Sequence, residues 1–185
     1  MIRLPLIALL CSLFASHAAA WNDEDLAFFH ASKACSFCDL SNVNLDGADL
    51  VGADLHGSGM LGAQLRGADL RGAYLLGTKL RGANLGGANL GGVSALAADL
   101  SGADLRGADL SGAQLNGALL KGALLNGANL TGASLMSTDL SGADLRAVDL
   151  TDAFLNGANM GGADLSGATF CRTMMSDNTT DSSGC

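Results

Sequence analysis

The cysteines are the residues of this chain whose types and spacing could most readily do chemistry. Cys35 and Cys38 form a C-x-x-C pair, and Cys171 and Cys185 lie near the C-terminus. A fifth cysteine, Cys11, lies in an apolar N-terminal stretch. A C-x-x-C pair can contribute to a zinc site, act as a redox couple or form a structural disulfide. Each of these chemistries makes different demands on the rest of the chain.

The surrounding sequence favours structural disulfides over the other two roles. A structural zinc site needs four ligands; His30 and His56 could be recruited, but there is no second C-x-x-C motif and no paired histidine. A thioredoxin-like redox role requires a strand-to-helix setting, whereas Cys38 occupies an inward place of the repeat described below. We therefore expect no metal and no other cofactor. The predicted disulfides are Cys35–Cys38 and Cys171–Cys185.

No group of residues in the sequence predicts catalysis. The three histidines, His17, His30 and His56, are scattered, and there is no recognisable nucleophile motif. Glycines recur at a regular spacing, so a match to a phosphate-binding G-x-x-x-x-G loop has no weight. No insertion interrupts the spacing between Cys38 and Phe170, although long loops are where such a scaffold would carry catalytic residues. We predict that the chain is not an enzyme and has no catalytic residues.

The residues from Cys38 to Phe170 repeat with a period of five. Leu or a similar residue recurs at every fifth position, with a small residue two places before it, as in Ala48-Asp49-Leu50. On an α-helix, residues five apart lie about 140° apart round the axis, and on a straight strand they alternate between the two faces. Neither element would gather the leucines on one side. If the chain bends by a quarter turn in each unit, every Leu points to a common axis and four units close a coil.

Stacked coils of this kind form an all-β, four-sided solenoid, because one coil alone cannot bury its interior. Gly dominates the second place after each Leu, as at Gly102 and Gly107, where the corner requires backbone angles that a Cβ resists. About seven coils stacked at roughly 4.8 Å predict a rod about 30 Å long.

The repeat resembles the pentapeptide-repeat family, whose units read A-(D/N)-L-x-x. Residues 83–87 (ANLGG) and 128–132 (ANLTG) match this pattern as they stand. The resemblance implies a right-handed quadrilateral β-helix. The sequence departs from the pattern where Ala95, Met60 and Met160 replace Leu, and we expect a slightly thinner core around Ala95. Corner glycines are also replaced, at Ala97, Ser137, Ala147 and Asp152.

The two ends of the chain lie outside the repeat. Residues 1–20 contain Arg3, an apolar stretch and three alanines before Trp21, which is typical of a secretory signal peptide. Its removal would change the formal net charge from −8 to −9 and would favour disulfides in a periplasmic or secreted protein. We predict an N-terminal cap over residues 21–34, with a short helix from Trp21 to Lys33, then the solenoid over 35–170. A C-terminal cap or tail over 171–185 would be held by its disulfide.

One side of the predicted solenoid carries a column of acidic and amide residues. The simpler interpretation is that these are ordinary solubilising residues of the repeat. The alternative, suggested by the family resemblance, is a cytoplasmic DNA mimic that modulates a type II topoisomerase. Export argues against this alternative, and so do basic residues such as Arg71 and Arg106 that interrupt the negative charge. The residues of the predicted acidic face are Asp49, Asp69, Asp109 and Asp149, interleaved with Asn89 and Asn129.

The next side carries outward apolar residues that predict a contact with a protein partner or with a second copy of the chain. Scattered apolar surface residues are also normal, so this prediction stays open at the level of the sequence. Direct nucleic-acid binding is not expected of a chain with this negative charge. We therefore predict an exported, non-enzymatic binding or structural scaffold without a transmembrane segment after signal cleavage. The predicted partner-binding residues are Tyr74, Leu76, Leu96, Met136 and Phe154.

Overall fold

The computed structural model describes Phe29 and residues 32–185, and within them the chain forms a four-sided β-helix. Residues twenty apart pair as parallel β-bridges on all four sides, for example Asn44 with Gln64 and Asp49 with Asp69. Each side of a coil is therefore one five-residue unit, and each coil contains four units. This pairing confirms the predicted four-sided architecture.

Backbone hydrogen bonds tie each inner coil to both of its neighbours. In the unit centred on Leu85, the N–H of Asn84 donates to Ala63 in the preceding coil at 2.9 Å. The N–H of Leu85 donates to Asp104 in the following coil at 2.7 Å. Because each unit repeats these bonds, the stack satisfies its backbone polar groups without long strands.

The core is a set of stacked columns of Leu and small residues along the axis. Leu45 and Leu105, sixty residues apart in one column, are 4% and 0% exposed, and the small residues Val43 and Ala103 beside them are both 0% exposed. Met60 and Ala95, which interrupt the Leu pattern, are buried as well. The predicted inward columns are thus confirmed by burial.

The corners of the coil use the left-handed backbone conformation that glycine adopts most easily. Gly102 has a φ of 64°, and the corner glycines share this region. Where glycine is replaced, the backbone keeps the same corner: φ is 52° at Ala97 and 57° at Asp152. The geometry of the coil therefore outweighs the local preference of these side chains.

The N-terminal end is closed by an aromatic ring and a disulfide. Phe29 is 2% exposed and belongs to the core, and the Lys33 N–H donates to the Phe29 carbonyl at 2.8 Å. Phe29 and Ser32 have helical backbone. The rest of the predicted helix from Trp21 to Lys33, and the predicted signal peptide, lie outside the described residues. Cys35 and Cys38 are joined in a disulfide at the start of the first coil.

The C-terminal end is closed by a short antiparallel hairpin made of β1 (Thr173–Met174) and β2 (Thr180–Asp181). Met174 also bridges in parallel to Phe154, so the hairpin continues the last coil. A disulfide joins Cys171 to Cys185 and returns the tail to the solenoid. In the described part of the chain, no helix is long and apolar enough to cross a membrane.

Candidate functional site

The four sides of the rod differ in the side chains that they present to solvent. We name each side after the central Leu of one of its units: the Leu65, Leu70, Leu75 and Leu80 sides. Each side also includes every unit that lies a multiple of twenty residues before or after that unit. The predicted acidic face is the Leu70 side, and the predicted partner-binding face is the Leu75 side.

The Leu75 side carries no charged residue over five successive coils. This uncharged stretch comprises units 73–77, 93–97, 113–117, 133–137 and 153–157. The other three sides carry acidic and basic residues, for example Asp104 and Arg106 on the Leu65 side. Sorting the charged residues with a period of twenty would have revealed this contrast from the sequence.

Apolar side chains project from this uncharged stretch. Tyr74, Leu76, Met136 and Phe154 are 58%, 51%, 41% and 47% exposed, respectively. Leu96 is half-buried and lies between Leu76 and Asn116 in the stack, so it contributes less apolar surface than its outward place predicts. We call these five residues the apolar patch.

The apolar patch has two parts along the rod. Tyr74 forms a β-bridge with Ser94, and Leu76 and Leu96 occupy equivalent places in the same two adjacent coils. Met136 and Phe154 occupy two later coils, and Phe154 bridges Ser134 and Met174. Tyr74 and Phe154 are four coils apart, about 19 Å at the usual strand spacing. The patch therefore offers two apolar contacts on one flat side.

The polar side chains between the two parts are engaged within the chain. The amide oxygen of Asn116 accepts hydrogen bonds from the Ser134 hydroxyl at 2.7 Å and from the Met136 N–H at 3.0 Å. These bonds hold the two coils together on the outside of the rod. Asn116 therefore does not need a ligand to satisfy its amide oxygen, and the surface between the two parts is pre-formed.

A cluster of polar residues precedes the apolar patch on the same side. Nδ1 of His56 lies 2.7 Å from Oδ1 of Asp54 and 3.0 Å from the Ser36 hydroxyl. The hydrogen bond from His56 lowers the pKa of Asp54 below its usual range. Catalytic Ser-His-Asp relays use both ring nitrogens, one for each partner. Here both partners contact one nitrogen, so the cluster is not arranged as such a relay.

The acidic and amide residues of the Leu70 side form one continuous stack. Asp49, Asp69, Asn89, Asp109, Asn129 and Asp149 bridge in that order.

Part of the charge of this stack is neutralised within the chain. The Arg71 guanidinium donates to both carboxylate oxygens of Asp69, with Nη2 to Oδ2 at 2.6 Å, and lowers the pKa of that carboxyl. Nζ of Lys33 lies 2.9 Å from Oδ2 of Asp49 and lowers the pKa of that carboxyl. The hydroxyl of Thr151 lowers the pKa of Asp149. These acids stay ionised, but two of them have a cation of their own chain beside them.

A metal site is not formed by the described residues. Within them, no group of three or more His, Cys, Asp or Glu side chains is arranged to hold an ion. The four cysteines within the described residues form two disulfides, which join the pairs that the sequence predicts.

Comparison with known families gives matches along almost the whole described chain. The family model for pentapeptide repeats matches in eight copies, within residues 35–72, 60–94, 73–112, 113–152 and 149–177. No protein among those of curated function matches the sequence.

Several solved structures are similar to this chain. HetL, a pentapeptide-repeat protein involved in heterocyst differentiation regulation in the cyanobacterium Nostoc sp. strain PCC 7120, is 30% identical; the match covers 88% of this chain and 100% of HetL, with a TM-score of 0.37. A pentapeptide-repeat protein of the Arabidopsis thaliana thylakoid lumen is 33% identical over 65% of this chain and 70% of its own, with a TM-score of 0.33. QnrB1, a plasmid-mediated fluoroquinolone resistance protein, is 26% identical over 71% and 72%, with a TM-score of 0.35.

Proposed function

Because this chain belongs to the pentapeptide-repeat family, we propose that it is an exported, non-enzymatic scaffold that binds protein through the uncharged Leu75 side. The right-handed quadrilateral β-helix of that family supplies a rigid rod with four flat sides. Such a rod has few moving parts, so its function depends on which side chains it holds at fixed spacing.

The observation that carries the proposal is the absence of charge from the Leu75 side over units 73–157. Depletion of charged residues at the centre, with aromatic residues and Met enriched, is the compositional signature of a protein interface. Tyr74, Met136 and Phe154 are of these enriched types, and all three are exposed. Charged residues on the neighbouring sides would supply the polar rim.

Export is supported by the sequence of residues 1–20 and by the two disulfides. Disulfides persist in oxidising compartments such as the periplasm and the extracellular space. Cys35–Cys38 and Cys171–Cys185 join residues at the two ends of the rod, where a stacked array needs caps. By the chain-entropy estimate, a loop the size of the C-terminal one is worth about 3 kcal/mol.

The alternative function is that of a cytoplasmic DNA mimic acting on a type II topoisomerase through the Leu70 side. The stack of Asp49, Asp69, Asp109 and Asp149 supports it, because the carboxylates recur along a straight column. Asn89 and Asn129 interrupt the column, and Arg71 lies against Asp69. We therefore prefer the Leu75 side as the binding surface.

The test replaces the first part of the apolar patch and leaves the core unchanged. The variant Tyr74→Ser/Leu76→Ser/Leu96→Ser is compared with Leu61→Ser/Leu119→Ser/Leu124→Ser, whose residues are exposed on the Leu65 and Leu80 sides. Both variants should fold, because none of these side chains points into the core. Sedimentation measures self-association, and chemical cross-linking in the exported fraction followed by mass spectrometry identifies a different partner.

We expect the patch variant alone to lose the complex. Loss of a dimer in sedimentation identifies a second copy as the partner, and loss of a specific cross-linked protein identifies a different one. If both variants sediment and cross-link like the original chain, the Leu75 side is ordinary surface and the proposal is wrong.

A further inference from the structure

Gly86 is a glycine that the backbone does not require. Of the 26 glycines in the chain, 21 have positive φ and serve the corners, but Gly86 does not. A Cβ built on Gly86 would meet only the Asn84 Oδ1 at 3.4 Å and the Arg106 carbonyl oxygen at 4.0 Å. The main structural effect of this glycine is therefore the space that a missing side chain leaves on the outside of the rod.

That space is a groove of about 470 Å³ on the Leu65 side, which we call the Gly86 groove. Its lining consists of Arg66, Asn84, Gly86, Gly87, Asp104 and Arg106. Arg66 and Arg106 occupy the same place as Gly86 in the preceding and following coils. Their Cα atoms are two strand spacings apart, about 10 Å, so two guanidinium groups flank a glycine floor.

The two arginines of the groove differ in whether they form a salt bridge. Arg106 is held by Asp104 through two hydrogen bonds, Nε to Oδ1 at 2.9 Å and Nη2 to Oδ2 at 2.6 Å. These bonds fix the plane of the guanidinium and occupy the only carboxylate of the groove. Arg66 takes part in no salt bridge with the described residues. Its charge nevertheless acts on Asp104, whose pKa is lowered first by Arg106 and further by Arg66.

The lining of the groove indicates its ligand. Guanidinium groups recognise carboxylate and phosphate oxygens, and they bind them in a planar, two-pronged arrangement. Nδ2 of Asn84 lies at the same floor and donates to Gln64 at 3.3 Å, a long bond that a better acceptor could replace. We propose that the Gly86 groove binds the oxyanionic group of a small molecule, a carboxylate or a phosphate monoester, between Arg66 and Arg106.

This site is independent of the proposed protein-binding face. The Leu65 and Leu75 sides are opposite sides of the four-sided rod, so a ligand in the Gly86 groove would not touch the apolar patch. A failure of the groove experiment therefore leaves the proposed scaffold function untouched, and the reverse also holds.

The experiment titrates the protein at low ionic strength with inorganic phosphate and, separately, with acetate, and follows the backbone amides by NMR. We expect saturable shifts confined to residues around Gly86 and Gly87, and the probe that saturates at lower concentration identifies the preferred anion. Gly86→Leu should fill the groove and weaken binding by at least about tenfold, and Arg66→Gln should weaken it by a similar factor, since each removes access to a charge-assisted hydrogen bond.

The matched control is Gly161→Leu, which lies at the same place in its unit but outside the groove. A Cβ on Gly161 would meet only the Asn159 Oδ1 at 3.3 Å, as at Gly86, and Gly161 has no positive φ. This variant should bind like the original chain, and thermal melting establishes that all variants are folded. Equal shifts at Arg71 and Arg146, or undiminished binding by folded Gly86→Leu and Arg66→Gln, would mean diffuse counter-ion effects and would overturn the proposal.

Discussion

The hydroxyl of Thr78 donates a 2.8 Å hydrogen bond to the carbonyl oxygen of Leu55, which lies 23 residues earlier in the chain. Both groups are inside the rod, and Thr78 is 0% exposed. The same bond recurs between Thr138 and Leu115 at 2.9 Å and between Thr173 and Leu150 at 2.8 Å. Polar side chains can thus occupy the small inward place because the preceding coil supplies an acceptor.

We expect Thr78→Val to destabilise the protein by about 1 kcal/mol, because it removes this buried hydrogen bond while nearly preserving the volume. The Leu55 carbonyl keeps its bonds from the hydroxyl and the N–H of Ser58, so the loss should not be larger. Urea unfolding measures the change. Thr180→Val, at an exposed place in β2, is the control and should be close to neutral.

Leu105→Asp should cost several kcal/mol, because it buries an unpaired charge in the central column. Asp109→Asn should leave the free energy of unfolding nearly unchanged. Oδ1 of Asp109 accepts hydrogen bonds from the Ser111 N–H and the Asn129 amide, and the amide oxygen of Asn can accept both. Thermal unfolding of the two variants measures the difference. Equal stability would contradict the assignment of inward and outward places.

The protein recovered from the exported fraction should begin at Trp21 and contain no thiol that alkylates without reduction. Intact-mass spectrometry before and after reduction measures both properties. The expected result supports the proposed export, since the two disulfides consume Cys35, Cys38, Cys171 and Cys185. A chain that keeps residues 1–20, or one whose Cys35, Cys38, Cys171 and Cys185 alkylate without reduction, would instead support the cytoplasmic alternative.

Duplicating one five-residue unit should separate folding from binding. A second copy of residues 83–87 keeps every later Leu inward but turns all later coils by one side. Leu76 and Leu96 would then lie on different sides, so the variant should fold yet lose the protein partner. Duplicating a whole coil before the uncharged stretch, residues 43–62, should preserve both, because units 73–157 keep their sides and their spacing. Circular dichroism measures folding, and sedimentation with cross-linking measures binding; retained binding after the five-residue duplication would argue against the Leu75 side.

The sequence predicts the inward columns and the corners because each depends on one repeating constraint. A buried Leu such as Leu105 and a corner such as Gly102 obey the period of five wherever they occur. The ion-pair partners of long, flexible side chains do not follow the period of five. Arg71 pairs with Asp69 of its own unit, whereas Arg172 pairs with Asp152 one coil earlier. Both partners lie within reach of an arginine, so the spacing alone cannot choose between them.

The candidate binding surfaces were predictable only in part. Tyr74 and Phe154 were recognisable from their outward places, and their exposure follows from the repeat. The Gly86 groove was recognisable only in part. The period of five places Gly86 one residue before the corner at Gly87, but the spacing does not reveal that Asp104 holds Arg106 or that open space remains round the missing Cβ.

The hydrogen bonds that join Leu85 to Asp104 and Asn84 to Ala63 have a consequence for biosynthesis. Every such bond reaches only to an adjacent coil, about twenty residues away. The backbone N–H and C=O groups of a coil can therefore form their hydrogen bonds without any distant part of the chain. The capped end that contains Phe29 and Cys35 is synthesised first and can template the next coil as it emerges. If growth continues from that end, the C-terminal hairpin and the Cys171–Cys185 loop are the last parts to join the stack.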